Sequence, residues 1–295
     1  MKMSVVREMP LLQARDLSIV LHTRSASVAA VQNVSFDCHH GRTLAIVGES
    51  GSGKTVLNLA PLGLMPVGVS VECTGDLLFN GRNILALSDP AIQAIRGKDI
   101  GVIFQDPLSA LNPARKVGHQ IAELAEMHLG LSAASANARA LEMLRLVGIS
   151  DAPIRLGQYP HELSGGMRQR VMIALAVTAE PKILIADEPT TALDVTIQAQ
   201  IVRLLKDIQN RLGMAIILIT HDIGVVSGMA DEVAVMYAGR FAETGSADSV
   251  LRTPVHPYTQ ALLSSIPREV DPIGSDFRGI VGLPPRLSER IVGCA

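Results

Sequence analysis

Residues 44–55 read Leu-Ala-Ile-Val-Gly-Glu-Ser-Gly-Ser-Gly-Lys-Thr. An apolar run of buried-strand type, 44–47, feeds a loop running through Gly48, Glu49, Ser50, Gly51, Ser52, Gly53 and Lys54, and Thr55 opens a helix-compatible stretch. The spacing is G-x-x-x-x-G-K-[ST]. Glycines at 48, 51 and 53 let the backbone curl until successive N–H groups converge, a geometry that suits phosphate oxygens. A helix beginning there adds the partial positive charge of its N-terminus. Lys54 has the reach for β- and γ-phosphates, and the Thr55 hydroxyl suits Mg²⁺, a hard oxygen-seeking cation. Chance alone would place such a pattern in a chain this long about one time in a hundred. The sequence therefore implies binding of a nucleoside triphosphate with Mg²⁺.

Two further stretches carry chemistry. Ile183-Leu184-Ile185-Ala186-Asp187-Glu188 is an apolar strand ending in two carboxylates. Open α/β sheets hold ligands at the carboxyl edge of their strands, which places Asp187 as a Mg²⁺ ligand and Glu188 as the group that orients or deprotonates an attacking water. Leu163-Ser164-Gly165-Gly166-Met167-Arg168-Gln169-Arg170 precedes an apolar helix. Ser164 reads as its N-cap, with the amides of Gly165 and Gly166 exposed as a second phosphate site.

These residues need a scaffold. Strands are expected at 11–22 and 28–36, with Gly41-Arg42 turning into the strand before the loop. Asn80-Gly81 between short β-type runs in 76–84 marks a hairpin, and 100–104 is a short strand. From about 108 to 162 the texture is helical: Val117, Ile121, Leu124 and His128 share one face, as do Leu141, Leu144 and Val147. Near-continuous apolar runs at 183–186 and 215–220 read as buried parallel strands. Ile197, Ile201, Leu204, Leu205 and Ile208 line a helix that Gly213 ends. A last strand pair, 233–237 and 241–243, turns at Gly239. A short helical piece and a Pro-rich tail follow.

Composition bounds the rest. The 295 residues suffice for a large core and one to two domains. A net charge of −2 leaves no electrostatic footprint for nucleic acid. Cys38, Cys73 and Cys294 are too few and too scattered for a disulfide framework or a closed metal site, which fits a reducing cytosol. Lys2, Arg7 and Glu8 interrupt any signal-peptide core. The longest uncharged stretch, 56–71, is broken by Pro61, Gly63, Pro66 and Gly68 and is too short to span a bilayer. The positive mean hydropathy, +0.31, fits a large α/β core and surface hidden against partners.

The order of the loop, Gln105 after a strand, Leu-Ser-Gly-Gly-Met-Arg-Gln-Arg, Asp187-Glu188, Ala192-Leu193-Asp194 and His221 resembles the ATP-binding subunit of ABC transporters over residues 11 to 268. The resemblance implies a P-loop NTPase (RecA-like) α/β core with an antiparallel β subdomain and a helical insert. The ATPase domain would cover 1–245, the insert about 108–162 within it, and a C-terminal extension 246–295. It further implies a head-to-tail pair of ATPase subunits with two ATPs at the interface, each between the loop of one subunit and Ser164, Gly165 and Gly166 of the other. Glu188 then resembles the catalytic base, and His221 the switch histidine on the γ-phosphate. Gln105 resembles the residue linking Mg²⁺ and water to the insert, and Asp194 lies in the loop communicating between sites. Two transmembrane permease subunits, an extracytoplasmic solute-binding protein and a peripheral place on the cytoplasmic face of the cell membrane follow from the same resemblance.

Phe104-Gln105-Asp106-Pro107-Leu108-Ser109-Ala110-Leu111-Asn112-Pro113 and His256-Pro257-Tyr258-Thr259-Gln260-Ala261-Leu262-Leu263 resemble the oligopeptide/dipeptide/nickel importer group, and also accessory ATPases of phosphonate-degrading complexes. Peptide import is the first expectation; nickel or another small solute, or the accessory role, are alternatives. An ABC ATPase acting on DNA or ribosomes would show long coiled coils, a second cassette or basic patches, and a GTPase an Asn-Lys-x-Asp guanine reader. The sequence has none of these. Two departures stand out. Importer ATPases offer an aromatic ring to adenine where this chain has Leu21 beside His22, so base stacking is expected to be weaker. Members of this group also hold iron–sulfur clusters through cysteines beyond a Gly-Cys, whereas here only Ala295 follows Cys294. Such clusters need about four thiolates, so none is expected.

Overall fold

A computed structural model describes residues 9–24, 26–191 and 193–265. The chain forms two compact units, Met1–Leu87 with Ile219–Ala295, and Ser88–Leu218. The first unit opens with β1 (Leu12–His22), β2 (Ser27–Cys38), β3 (Thr43–Val47), α1 (Lys54–Leu59), β4 (Ser70–Phe79) and β5 (Arg82–Asn83). The second contains α2 (Asp89–Ile95), β6 (Ile100–Ile103), α3 (Pro107–Ala110), α4 (Val117–Leu129), α5 (Ala133–Leu146), α6 (Ala152–Arg155), α7 (Gly165–Val177), β7 (Ile183–Asp187) and α8 (Val195–Leu212). The division falls within β8 (Ala215–Thr220), after which α9 (Ile223–Met229), β9 (Glu232–Tyr237), β10 (Arg240–Ser246), α10 (Ala247–Arg252) and α11 (Pro257–Ser264) complete the first unit.

In the first unit an antiparallel sheet runs β2-β1-β4-β5. Along β1 the buried residues are Leu12 and Ala14, then Leu17 and Ile19. Strict alternation would put one of these sets in solvent. The register shift between Ala14 and Leu17, with Asp16 at φ 47, inserts the extra residue that keeps both inside. Gly75 on β4 accommodates this bulge, because a Cβ there would lie 2.5 Å from the Asp16 carbonyl oxygen. Asn80 and Gly81, both at positive φ, join β4 to β5 as the dipeptide signals. β3 is buried at every position and pairs in parallel with β9, which pairs antiparallel with β10 across Ala238-Gly239. All of the expected strands form; β4 begins at Ser70, six residues before the stretch 76–84 in which the hairpin is expected.

In the second unit β6 pairs in parallel with β7, and every residue of β7 is buried. The helical stretch expected at 108–162 forms α3 to α6 within this larger unit. α4 and α5 pack against each other, and their buried residues include Val117, Ile121, Ala122 and Ala125 on α4 and Ala136, Ala140, Met143 and Leu144 on α5. The small alanines let the two helices approach closely. α8 ends at Gly213 in the left-handed conformation. Helices α2, α9 and α11 are not foreshadowed by the sequence reading.

A glycine on β6 sets the distance to α7: a Cβ on Gly101 would lie 2.3 Å from the Ala176 carbonyl oxygen. Gly101→Ala is expected to lower stability by about 1–3 kcal/mol, because strand and helix must part. Chemical denaturation of the two proteins measures the difference.

Candidate functional site

The glycine loop is built as its spacing demands. Gly51 and Gly53 have φ of 80 and 106. Its closest approaches are to backbone: a Cβ on Gly53 would meet the Ala30 carbonyl oxygen at 2.4 Å, and one on Gly48 the Met236 carbonyl oxygen at 2.1 Å. The end of β9 therefore presses on the loop, and the Gly239 N–H donates to the Ser52 carbonyl at 2.9 Å. Lys54 is buried, and its ammonium donates to the carbonyls of Gly48 (2.8 Å) and Glu49 (2.7 Å). Ser50, Gly51 and Thr55 are exposed, so one face of the loop opens outward.

One contact to the loop was missed by sequence reasoning. The Glu49 N–H donates to the Tyr258 hydroxyl of α11 at 3.2 Å, across 209 positions. Burial pushes the Tyr258 phenol up to about 12, so it carries its proton at any physiological pH. At the far end of β1, Leu21 is half-buried, and His22 is held by Ser27 Oγ at 2.8 Å and Glu72 Oε2 at 3.2 Å. Alternation along the strand places the two side chains on opposite faces. His221 follows β8 and is exposed; next to it Asp222 caps α9 by accepting from Gly224 N at 2.7 Å.

The second unit gathers the other expected residues. Asp187 is buried at the end of β7. Glu188 follows at φ 46, a left-handed conformation uncommon for a residue with a side chain. Its carboxylate accepts from Gln105 Nε2 and from Thr191 Oγ1, both at 2.8 Å. Gln105 thus meets Glu188 directly, and Thr191 is a second partner that the motif reading did not name. Ser164 caps α7 through an acceptance from Met167 N at 3.4 Å. The buried Gln169, one turn on, donates to the Pro189 carbonyl at 2.6 Å and ties α7 to the turn after Glu188. Asp194 caps α8 by accepting from Ile197 N at 2.9 Å, and Gly166 lies against Ile197 so closely that a Cβ would stand 3.2 Å from its Cγ2. Gln105, the Ser164–Gly166 turn, Glu188 and Asp194 are therefore mechanically joined. Ala192 and Cys294, with the question of an iron–sulfur cluster, lie outside the described residues.

The ABC transporter family profile matches residues 31–191, more than half of the chain. The chain belongs to the ABC transporter ATP-binding family. A second profile, the oligopeptide/dipeptide transporter C-terminal region, matches 242–295. The chain is 50% identical over 284 residues to the oligopeptide transport ATP-binding protein OppD of Bacillus subtilis, covering 96% of this chain and 79% of that one. It is also 50% identical to the dipeptide transport ATP-binding protein DppD of Lactococcus lactis, covering 95% and 80%. Among solved structures it resembles a dimeric post-hydrolysis state of an ATP-binding cassette bound to ADP and Pi, with a TM-score of 0.70 and 26% identity over 80% of this chain and 98% of that one. It also resembles cbiO1 of Clostridium perfringens, part of an ABC transporter complex, with a TM-score of 0.70 and 30% identity over 83% and 92%. The fold is the α/β P-loop NTPase fold, as the sequence reading expected, and the family is one of ATPases.

Gly53→Ala places a methyl group against the Ala30 carbonyl in a backbone conformation that favours glycine. We expect ATP affinity to fall by more than about tenfold with circular dichroism unchanged, since strain of 1–3 kcal/mol concentrates in the loop. Titration with a fluorescent ATP analogue reads the effect.

Proposed function

We propose that this chain binds and hydrolyses ATP to power the uptake of di- and oligopeptides through partner transmembrane subunits. The observation that carries the proposal is the glycine loop closed on buried Lys54, on a chain half identical to peptide transport ATP-binding proteins. The loop from Gly48 to Thr55 cradles the phosphates with backbone N–H groups other than that of Glu49, which Tyr258 holds, and Lys54 turns to the β- and γ-phosphates. Thr55 carries an exposed hydroxyl, and buried Asp187 and exposed Gln105 carry side-chain oxygens, each a hard donor of the chemical kind that Mg²⁺ takes. Mg²⁺ held by such donors would neutralise the charge that develops on the transferred phosphoryl group.

Glu188 serves as general base toward the attacking water. Its bonds from Gln105 and Thr191 fix the carboxylate's orientation. His221 contacts the γ-phosphate, and Leu21 supports adenine in place of a ring. Two such ATPases, this chain twice or with a relative, close head to tail, so that Ser164, Gly165 and Gly166 of the partner subunit cover the γ-phosphate and exclude bulk water. Asp194 carries communication between the two sites. ATP binding favours the closed pair, hydrolysis reopens it, and the membrane subunits follow between outward- and inward-open states. The helical stretch from Gln105 to Met127 docks on those membrane subunits, and its exposed apolar residues Leu108 and Met127 suit that contact. An extracytoplasmic binding protein delivers the peptide. No helix among the described residues is long and apolar enough to cross a membrane, which suits a peripheral subunit at the cytoplasmic face. Residues 1–245 act as the ATPase domain and 246–295 as its extension.

Glu188→Gln keeps the shape and removes the base. Phosphate release is expected to fall at least about a hundredfold while ATP affinity persists. Full turnover by this variant would take Glu188 out of the catalytic role. Leu21→Tyr is expected to tighten ATP about fivefold over the parent, the gain of one stacked ring, and an unchanged titration would remove Leu21 from the base site.

A further inference from the structure

The peptide plane between Gly48 and Glu49 is pinned at both ends. Its carbonyl oxygen accepts from Lys54 Nζ at 2.8 Å, and its N–H donates to the Tyr258 hydroxyl at 3.2 Å. Because the unit is planar, two fixed bonds on opposite edges leave it no free rotation. Tyr258 is itself firmly placed. Glu243 on β10 accepts from Val255 N at 2.8 Å and His256 N at 3.0 Å, and His256 Nδ1 accepts from Tyr258 N at 3.1 Å. These bonds set the first turn of α11. The Tyr258 ring then lies 4.5 Å from that of Tyr237, the last residue of β9; the preceding Met236 carbonyl abuts Gly48, and Gly239 beyond it donates to the Ser52 carbonyl.

We propose that Tyr258 is a positioning residue for ATP: its hydroxyl orients the Glu49 peptide and makes the segment beyond β10 part of the nucleotide site's mount. This deepens the ATP-binding reading of the loop and rests on it. The phenol is the right group for the task, since it offers an uncharged acceptor to an amide beside the phosphate site. A carboxylate in its place would repel the nucleotide.

The test is Tyr258→Phe in the full chain, which keeps the ring on Tyr237 and deletes the acceptor. Hydrogen exchange in the peptide covering 44–57, read without nucleotide, is expected to quicken about five- to tenfold, the worth of one amide bond. The ATP dissociation constant is expected to rise by a similar factor, with the melting temperature of the nucleotide-free protein little changed. In the assembled transporter the KM for ATP should rise while kcat at saturation is kept. Tyr237→Phe, which leaves the Glu49 contact alone, should match the parent in exchange and affinity. Parental exchange and affinity in Tyr258→Phe would overturn the proposal. Faster exchange with unchanged affinity would overturn it too, as would equal losses in both tyrosine variants. If Tyr258→Phe folds poorly, Glu243→Ala frees the start of α11 and should give the same faster exchange at 44–57; parental exchange there also overturns the proposal. Exchange is measured without ATP, so the mount can fail or stand separately from the nucleotide reading.

Discussion

A buried ammonium must find acceptors or lose its charge, and Lys54 finds them in the carbonyls of its own loop. That requirement explains much of the first unit. Turning the oxygens of Gly48 and Glu49 toward Lys54 forces the backbone into conformations that favour glycine at 51 and 53. The tight curl brings the loop against backbone oxygens of Ala30 and Met236, where a side chain would collide. β9, paired in parallel with β3, carries the Met236 oxygen, and β2, paired with β1, carries that of Ala30. The strands thus support a loop whose internal bonds are already satisfied and whose outer face is open.

The second unit answers a different constraint. Glu188 stands in a left-handed conformation, and two donors hold its carboxylate. The bonds from Gln105 and Thr191 fix the direction in which that carboxylate points. The links from Gln169 to Pro189 and from Gly166 to Ile197 tie the helix that Ser164 caps to the segments following Glu188 and Asp194. Packed elements transmit displacements because interiors resist compression.

The chemistry was legible wherever it depends on neighbours in sequence. Loop glycines, the Ser164 cap, the Asn80-Gly81 turn and the Gly213 stop each report a local backbone need, and each forms as read. The apolar runs of β3, β7 and β8 declared buried strands for the same reason. What escaped depends on contacts between distant segments. Asp16 and Gly75 form one bulge from two strands, Gly101 is fixed by a helix far along the chain, and Tyr258 serves a loop 209 residues away. No periodicity encodes such pairs. Helix α2 went unseen because it has no buried residue and therefore no apolar stripe. Gln105 was assigned to Mg²⁺ and water by resemblance, and only side-chain geometry revealed its bond to Glu188.

The central claim is that the Lys54 loop holds the triphosphate. Lys54→Ala deserves direct titration with ATP in the presence of Mg²⁺. The account predicts that affinity falls by about a hundredfold or more, since a charge-assisted contact and the loop's internal staple vanish together. Parental affinity in that variant would contradict it.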